Sequence, residues 1–143
     1  MEQQKEREKE IREKYLALQQ LQAESEIIQR KIIELELAHS QLEKTIESLE
    51  FFNSVDGNID ALMNLGGGVF AYVNISNVKK LLVDVGAGVM IEKDVKEAIE
   101  FLKKKKENIE QAMAQLEQAL QQVVEKAKSV QDELTKMIQE GKK

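Results

Sequence analysis

Two long runs of this chain place an apolar residue at every third or fourth position, and that pattern leaves the backbone one regular solution. The first run passes through Ile11, Lys14, Leu18, Leu21, Ser25, Ile28, Ile32, Leu35, His39, Leu42, Ile46 and Leu49, and nine of these twelve are apolar. The second passes through Val95, Ile99, Leu102, Lys106, Ile109, Met113, Leu116, Leu120, Val123, Ala127, Val130, Leu134 and Met137, where only Lys106 is polar. A period of about 3.5 residues held over five or more heptads, with Glu, Lys and Gln elsewhere and no Gly or Pro inside, specifies coiled-coil helices.

Between the runs the chemistry changes. Six of the seven glycines lie between Gly57 and Gly88, and only Asp60, Lys79, Lys80 and Asp84 carry charge between Gly57 and Ile91. LMNL, VFAYVNI, LLVDV and VMIE are rich in Val, Leu and Ile and read as four short strands. Leu62–Val69 aligned with Leu82–Val89 gives LMNLGGGV against LVDVGAGV, a repeat at a 20-residue offset, so one hairpin is made twice. Gly66, Gly67 and Gly68 in the first copy, and Gly86 and Gly88 in the second, supply the positive φ of tight hairpin turns. Asp94, with Glu97 three residues on, is the expected N-cap of the second helix.

Helices joined by such a short segment can fold back and cover each other's seam. The expected fold class is α+β: a long antiparallel coiled-coil hairpin with two short β-hairpins at its proximal end. If Leu49 lies near Ile99, facing residue numbers sum to about 148. The 143 residues fit a single domain, 1–143, with helices over 1–53 and 93–143 and the two β-hairpins over 54–92.

Several functions are excluded by what the sequence contains. It has no Cys and one His, hence no thiol nucleophile and no thiolate or imidazole cage for a metal. Twenty-one Lys and Arg against 26 Asp and Glu give a net charge of −5, which argues against nucleic acid and anionic lipid as partners. No leader or membrane span is legible, and the expected setting is cytoplasmic. VDVGAG lacks the third glycine of a dinucleotide fingerprint, because Ile91 stands there, and LGGGVF has no following Lys-Ser or Lys-Thr. No nucleophile, base and stabiliser can be assembled, so the chain is read as a non-enzyme without cofactors or metal. His39, Lys14, Ser25 and Lys106 interrupt the seam and are read as register-setting polar positions. The basic run Lys103–Lys106 is read as a solvated helix surface paired with Glu100, Glu107 and Glu110.

An apolar segment of this length with open strand edges requires a partner. Leu65, Val69, Phe70, Val73, Val83, Val85, Val89 and Ile91 are the expected assembly contacts, by strand alternation. At the other end of the helices Tyr15, Leu16 and Ile138 stand off the seam beside Leu18 and Met137. They either widen the coiled-coil core or remain available for transient apolar contact.

The order coiled coil, two glycine-turned hairpins, coiled coil resembles a prefoldin subunit of the alpha class over nearly the whole chain. LLVDVGAGVMIEKDVKEAIEFLKKK, from Leu81 to Lys105, is similar to that family's second hairpin and the start of its C-terminal helix, and LGGGVF to its first hairpin turn. The chain differs in having Met63-Asn64-Leu65 where the family often has a proline. The resemblance implies hairpins joined in an intersubunit β-barrel, in a hexamer of two alpha with four beta-type subunits. It implies an ATP-independent co-chaperone that holds unfolded client proteins at the coiled-coil tips and transfers them to a group II chaperonin. The client surface would then comprise Ile11, Tyr15, Leu16, Leu18, Val130, Leu134, Met137 and Ile138. The rival reading is a structural coiled-coil scaffold or tether, including one that self-assembles into homo-oligomers or filaments.

Overall fold

The computed structural model describes residues 1–141; residues 142 and 143, counted above at the end of the second helix, lie outside the described residues. The element order is α1 (Glu2–Ser54), β1 (Ile59–Gly66), β2 (Val69–Ile75), β3 (Lys80–Gly86), β4 (Val89–Asp94) and α2 (Val95–Gly141). Every one of the twelve seam positions on α1 and the thirteen on α2 is buried or half-buried, including the polar ones. None of the helices among the described residues is long and apolar enough to cross a membrane.

The strands form two separate two-stranded antiparallel sheets, β1 with β2 and β3 with β4. The 20-residue repeat is reproduced in geometry. Both ladders shift register at the same place, between Asn64 and Gly66 and between Asp84 and Gly86. In both, the side chain two residues before the glycine closes the bulge: Gly66 N–H donates to Asn64 Oδ1 and Gly86 N–H to Asp84 Oδ1, each at 2.9 Å. The two-residue turns that follow need positive φ at both central positions. They have it, with 59° and 81° at Gly67 and Gly68 and 51° and 77° at Ala87 and Gly88. Ala87 is the single non-glycine residue with positive φ among the described residues.

The described residues divide into two compact units. One comprises Met1–Ala38 and the chain from Ile109 onward. Here the two helices run antiparallel, with Leu18, Ile32, Val123 and Leu134 buried between them. Lys14 pairs with Glu133 across the seam, and Arg7 donates to the Met137 carbonyl at 2.6 Å. The Lys14–Glu133 link matches the expected numbering of facing residues to within one residue, while Arg7 reaches a carbonyl about one helical turn from its expected partner. Each fully buried aliphatic side chain contributes about 1.5–3 kcal/mol.

The other unit, His39–Asn108, holds the remaining helix segments and both hairpins. Ile46, Leu49, Val95, Ala98 and Ile99 form a buried cluster, with Val78, Leu81, Val83 and Leu102 packed against it. The second hairpin is therefore fastened to the helices by one face of β3. It is also continuous with α2, because β4 ends at Asp94 and α2 begins at Val95. Asp94 is the N-cap, its Oδ1 accepting from Glu97 N–H at 2.7 Å. Two of the seam's polar interruptions share one carboxylate: Glu43 Oε1 lies 3.7 Å from His39 Nδ1 and 3.7 Å from Lys106 Nζ. Lys103 reaches Glu50 at 3.4 Å. The facing helix thus supplies carboxylates to both outer lysines of the basic run.

Candidate functional site

Of the nineteen large apolar side chains that stay exposed among the described residues, ten lie between Leu62 and Ile91. Register explains which face they occupy. In the first hairpin, Asp60 pairs with Asn74, Leu62 with Tyr72 and Asn64 with Phe70, so these six share one face. All six are exposed; Tyr72 retains 93% of its surface and Leu62 60%. The polar end of that face is fixed by Asn74 Nδ2 donating to Asp60 Oδ1 at 2.9 Å. The opposite face carries Ile59, Ala61, Val73 and Ile75, half-buried, with Met63 exposed. No residue of β1 or β2 belongs to the buried cluster or is packed against it.

An isolated two-stranded hairpin is at best marginally stable in water, and both strands of each pair are edges with unpaired N–H and C=O groups. A surface combining open ladders with Leu62, Phe70 and Tyr72 is suited to strand addition and apolar packing by another polypeptide. In the second hairpin the outer face is formed by Lys80, Leu82, Asp84, Met90 and Glu92. Leu82 and Met90 are exposed there, and Lys80 pairs with Glu92 at 3.8 Å.

Among the residues expected to make assembly contacts, Leu65, Val69, Phe70, Val89 and Ile91 are exposed. Val73 and Val85 are half-buried, while Val83 packs against the buried helical cluster and so serves the chain's own core. Leu62, Met63, Tyr72, Leu82 and Met90 are exposed apolar residues that were not among the expected assembly contacts. Their signal was available in the cross-strand pairing of Leu62 with Tyr72, an aliphatic–aromatic pair of the kind that stabilises sheets. The turn glycines Gly66, Gly67, Gly68, Gly86 and Gly88 all have positive φ.

The residues expected to meet clients fall into two groups. Leu18 and Leu134 are closed into the seam, at 7% and 5% exposure, and Ile11, Val130 and Met137 are half-buried along it. Tyr15, Leu16 and Ile138 are exposed. The helical segments carry further exposed apolar residues off the seam, namely Ile27, Ile33, Leu37, Phe51 and Val124. The spacing of Ile33 and Leu37, four apart and off the seam series, was the signal for a second outward-facing pair.

The comparisons with known proteins agree with this geometry. The family model described as prefoldin subunit matches residues 18–140. A protein named prefoldin subunit alpha from Archaeoglobus fulgidus is 51% identical over 127 residues, 89% of this chain and 93% of its own length. A second of that name, from Methanocorpusculum labreanum, is 29% identical over 89% of this chain and 86% of its own. A cryo-EM structure described as filamentous PFD from Methanocaldococcus jannaschii superposes with a TM-score of 0.71 at 18% identity, covering 83% of this chain and 98% of that one. Seams closed where the heptads put them, twin bulged hairpins at a 20-residue offset and a family match over most of the length lead to one assignment: the chain belongs to the prefoldin subunit family.

Proposed function

We propose that the chain is the alpha-type subunit of a hetero-oligomeric, ATP-independent holdase that acts in the cytoplasm. Residues 1–143 work as one domain in this reading. The hairpins of 54–92 supply the assembly surface to beta-type subunits, two alpha with four beta, and the helices of 1–53 and 93–143 supply the surface for non-native proteins. Captured chains then pass to a group II chaperonin.

The observation that carries the client-binding reading is the exposure of Tyr15, Leu16 and Ile138 beside a seam that Leu18 and Leu134 already close. Side chains left outside a filled seam add little to helix pairing, whereas an aromatic and two aliphatics in water suit shape-tolerant contact with exposed apolar segments. The test uses the full chain assembled with a beta-type subunit. A denatured protein is diluted into ATP-free buffer and its light scattering followed with the wild-type assembly and with a Tyr15→Ser, Leu16→Ser, Ile138→Ser variant. Suppression by the wild type and its loss in the variant, at unchanged assembly mass, is the expected result. Equal suppression by both would remove these residues from the client site.

The second reading is a scaffold that assembles with itself. Its support is that four open strand edges accept an identical chain as readily as a related one, and that a filamentous assembly is described for a protein of this fold. Native mass measurement of the isolated chain separates the two: a monomer or small oligomer favours the hetero-oligomer, and a concentration-dependent ladder of masses favours self-assembly.

A further inference from the structure

The basic run Lys103–Lys106 is divided by the structure into two pairs with different surroundings. Lys103 and Lys106 are held by Glu50 and Glu43. Lys104 and Lys105 instead line an open groove of ≈ 610 Å³ between the second hairpin turn and α2, together with Asp84, Val85, Gly86, Phe101 and Asn108. Neither lysine has an ion-pair partner among the described residues. The carboxylate on the opposite wall is engaged, since Asp84 Oδ1 accepts the Gly86 N–H. Phe101 is half-buried, and Lys93 Nζ stands 5.6 Å from the centre of its ring. A narrower apolar groove of ≈ 320 Å³ adjoins, sharing Asp84 and Lys105 and floored by Leu49, Ala98 and Leu102.

We propose that this groove binds an extended polypeptide segment carrying carboxylates next to a bulky apolar side chain. Lys104 and Lys105 receive the carboxylates, and the surfaces of Phe101, Val85 and the adjoining apolar groove receive the side chain. Charge complementarity selects an acidic segment: two ammonium groups without ion-pair partners against the single carboxylate of Asp84 leave the groove lining net positive. The apolar floor supplies the area that a pair of exposed charges would lack alone, because exposed ion pairs are individually weak. A phosphate backbone fits poorly, since two lysines on a chain of net charge −5 offer no continuous basic track. The groove shares Asp84 with the outer face of the second hairpin, but its lining includes none of Tyr15, Leu16 and Ile138, so the proposal stands whether or not the holdase reading holds.

The probe is a fluorescein-labelled peptide with a Glu-Leu-Glu-Leu-Glu centre, compared with its Gln-for-Glu counterpart, titrated with the full chain at low salt. Binding of the acidic peptide is expected to weaken by roughly tenfold in Lys104→Gln/Lys105→Gln, and by a similar factor for the Gln peptide. Lys103→Gln leaves it nearly unchanged. Backbone amide shifts in a labelled sample are expected to move at Val85, Gly86 and Phe101. Circular dichroism checks that the double variant, altered at two exposed positions, remains folded. Equal binding by wild type and double variant, equal binding of the two peptides, no binding up to millimolar concentration, or shifts confined to β1 and β2 would each overturn the proposal.

Discussion

Ala87→Gly isolates the conformational cost of one residue, because the chain contains its own control. Ala87 occupies the first central position of the second turn with φ 51°, and its counterpart twenty residues earlier is Gly67 at φ 59°. An L-residue in the left-handed region costs about 1–2 kcal/mol through its Cβ and the following carbonyl. Glycine gives back about 0.4–1 kcal/mol by widening the unfolded ensemble. A Cβ added at Gly67 would meet nothing within 4 Å, so packing does not enter the comparison. The difference leaves Ala87→Gly stabilising the second hairpin by roughly 0.5–1 kcal/mol, and Gly67→Ala destabilising the first by as much. Amide hydrogen exchange reads this directly: β3 and β4 amides that exchange by local opening should slow about two- to fivefold in Ala87→Gly, and β1 and β2 amides should quicken by a like factor in Gly67→Ala. Unchanged rates in both variants would refute the reasoning, since the two turns would then not be governed by left-handed backbone geometry.

Three further outcomes are expected. Tyr72→Asp, at a position almost fully exposed in the single chain, should leave thermal stability of that chain within about 0.5 kcal/mol yet abolish co-assembly with a beta-type subunit, as measured by multi-angle light scattering; an assembly of unaltered mass would take this face out of the interface. Leu134→Ala should cost about 2–4 kcal/mol in thermal unfolding followed by circular dichroism, whereas Ile138→Ala should stay within about 0.5 kcal/mol, because one side chain fills the seam and the other stands outside it. Asp94→Ala removes the acceptor for Glu97 N–H and should lower the stability measured in urea by about 1 kcal/mol, with Asp94→Ser largely restoring it.

What the sequence made legible depended on period. The seam could be read through its polar members as well as its apolar ones, because His39, Lys14, Ser25 and Lys106 stand at seam spacing whatever their chemistry, and all four are half-buried. The turns could be read because left-handed positions select glycine and the repeat shows them twice. The hairpin faces could not be read in the same way. Apolar residues occupy both faces of the first hairpin, so alternation does not mark an inside. The bulge at Leu65, repeated at Val85, inserts one residue and exchanges faces on either side of it. That is why Val83 was expected at an interface and is found, like Leu81, against the helical cluster, while Tyr72, one residue from Val73, was not among the expected contacts. The pairing of Lys103 with Glu50 and Lys106 with Glu43 was hidden for a different reason, since it depends on which helix faces the lysines.

The two hairpins share a turn, a bulge and a side-chain bond to the bulge, and they diverge where each has to pack. Leu81, Val83 and Lys93 in the second copy stand where the first has Ala61, Met63 and Val73. The first two reach the helical cluster, and Lys93 lies over Phe101. On the outer face the exchange runs the other way: Phe70 and Tyr72 in the first copy become Met90 and Glu92 in the second, where Lys80 covers the acidic residue. The second hairpin is also joined to α2 without a loop, whereas the first is bounded by irregular segments over 55–58 and 76–79. One copy is therefore anchored within the chain, and the other presents its aromatic face and both its edges to whatever binds it. In the assembly proposed above, burying a tyrosine of this exposure would remove on the order of 150–250 Å² of surface, at about 25 cal/mol per Å² of its apolar part. The two copies thus differ in role within the chain: the second hairpin is packed on the helices, and the first leaves its aromatic face free for the association proposed above.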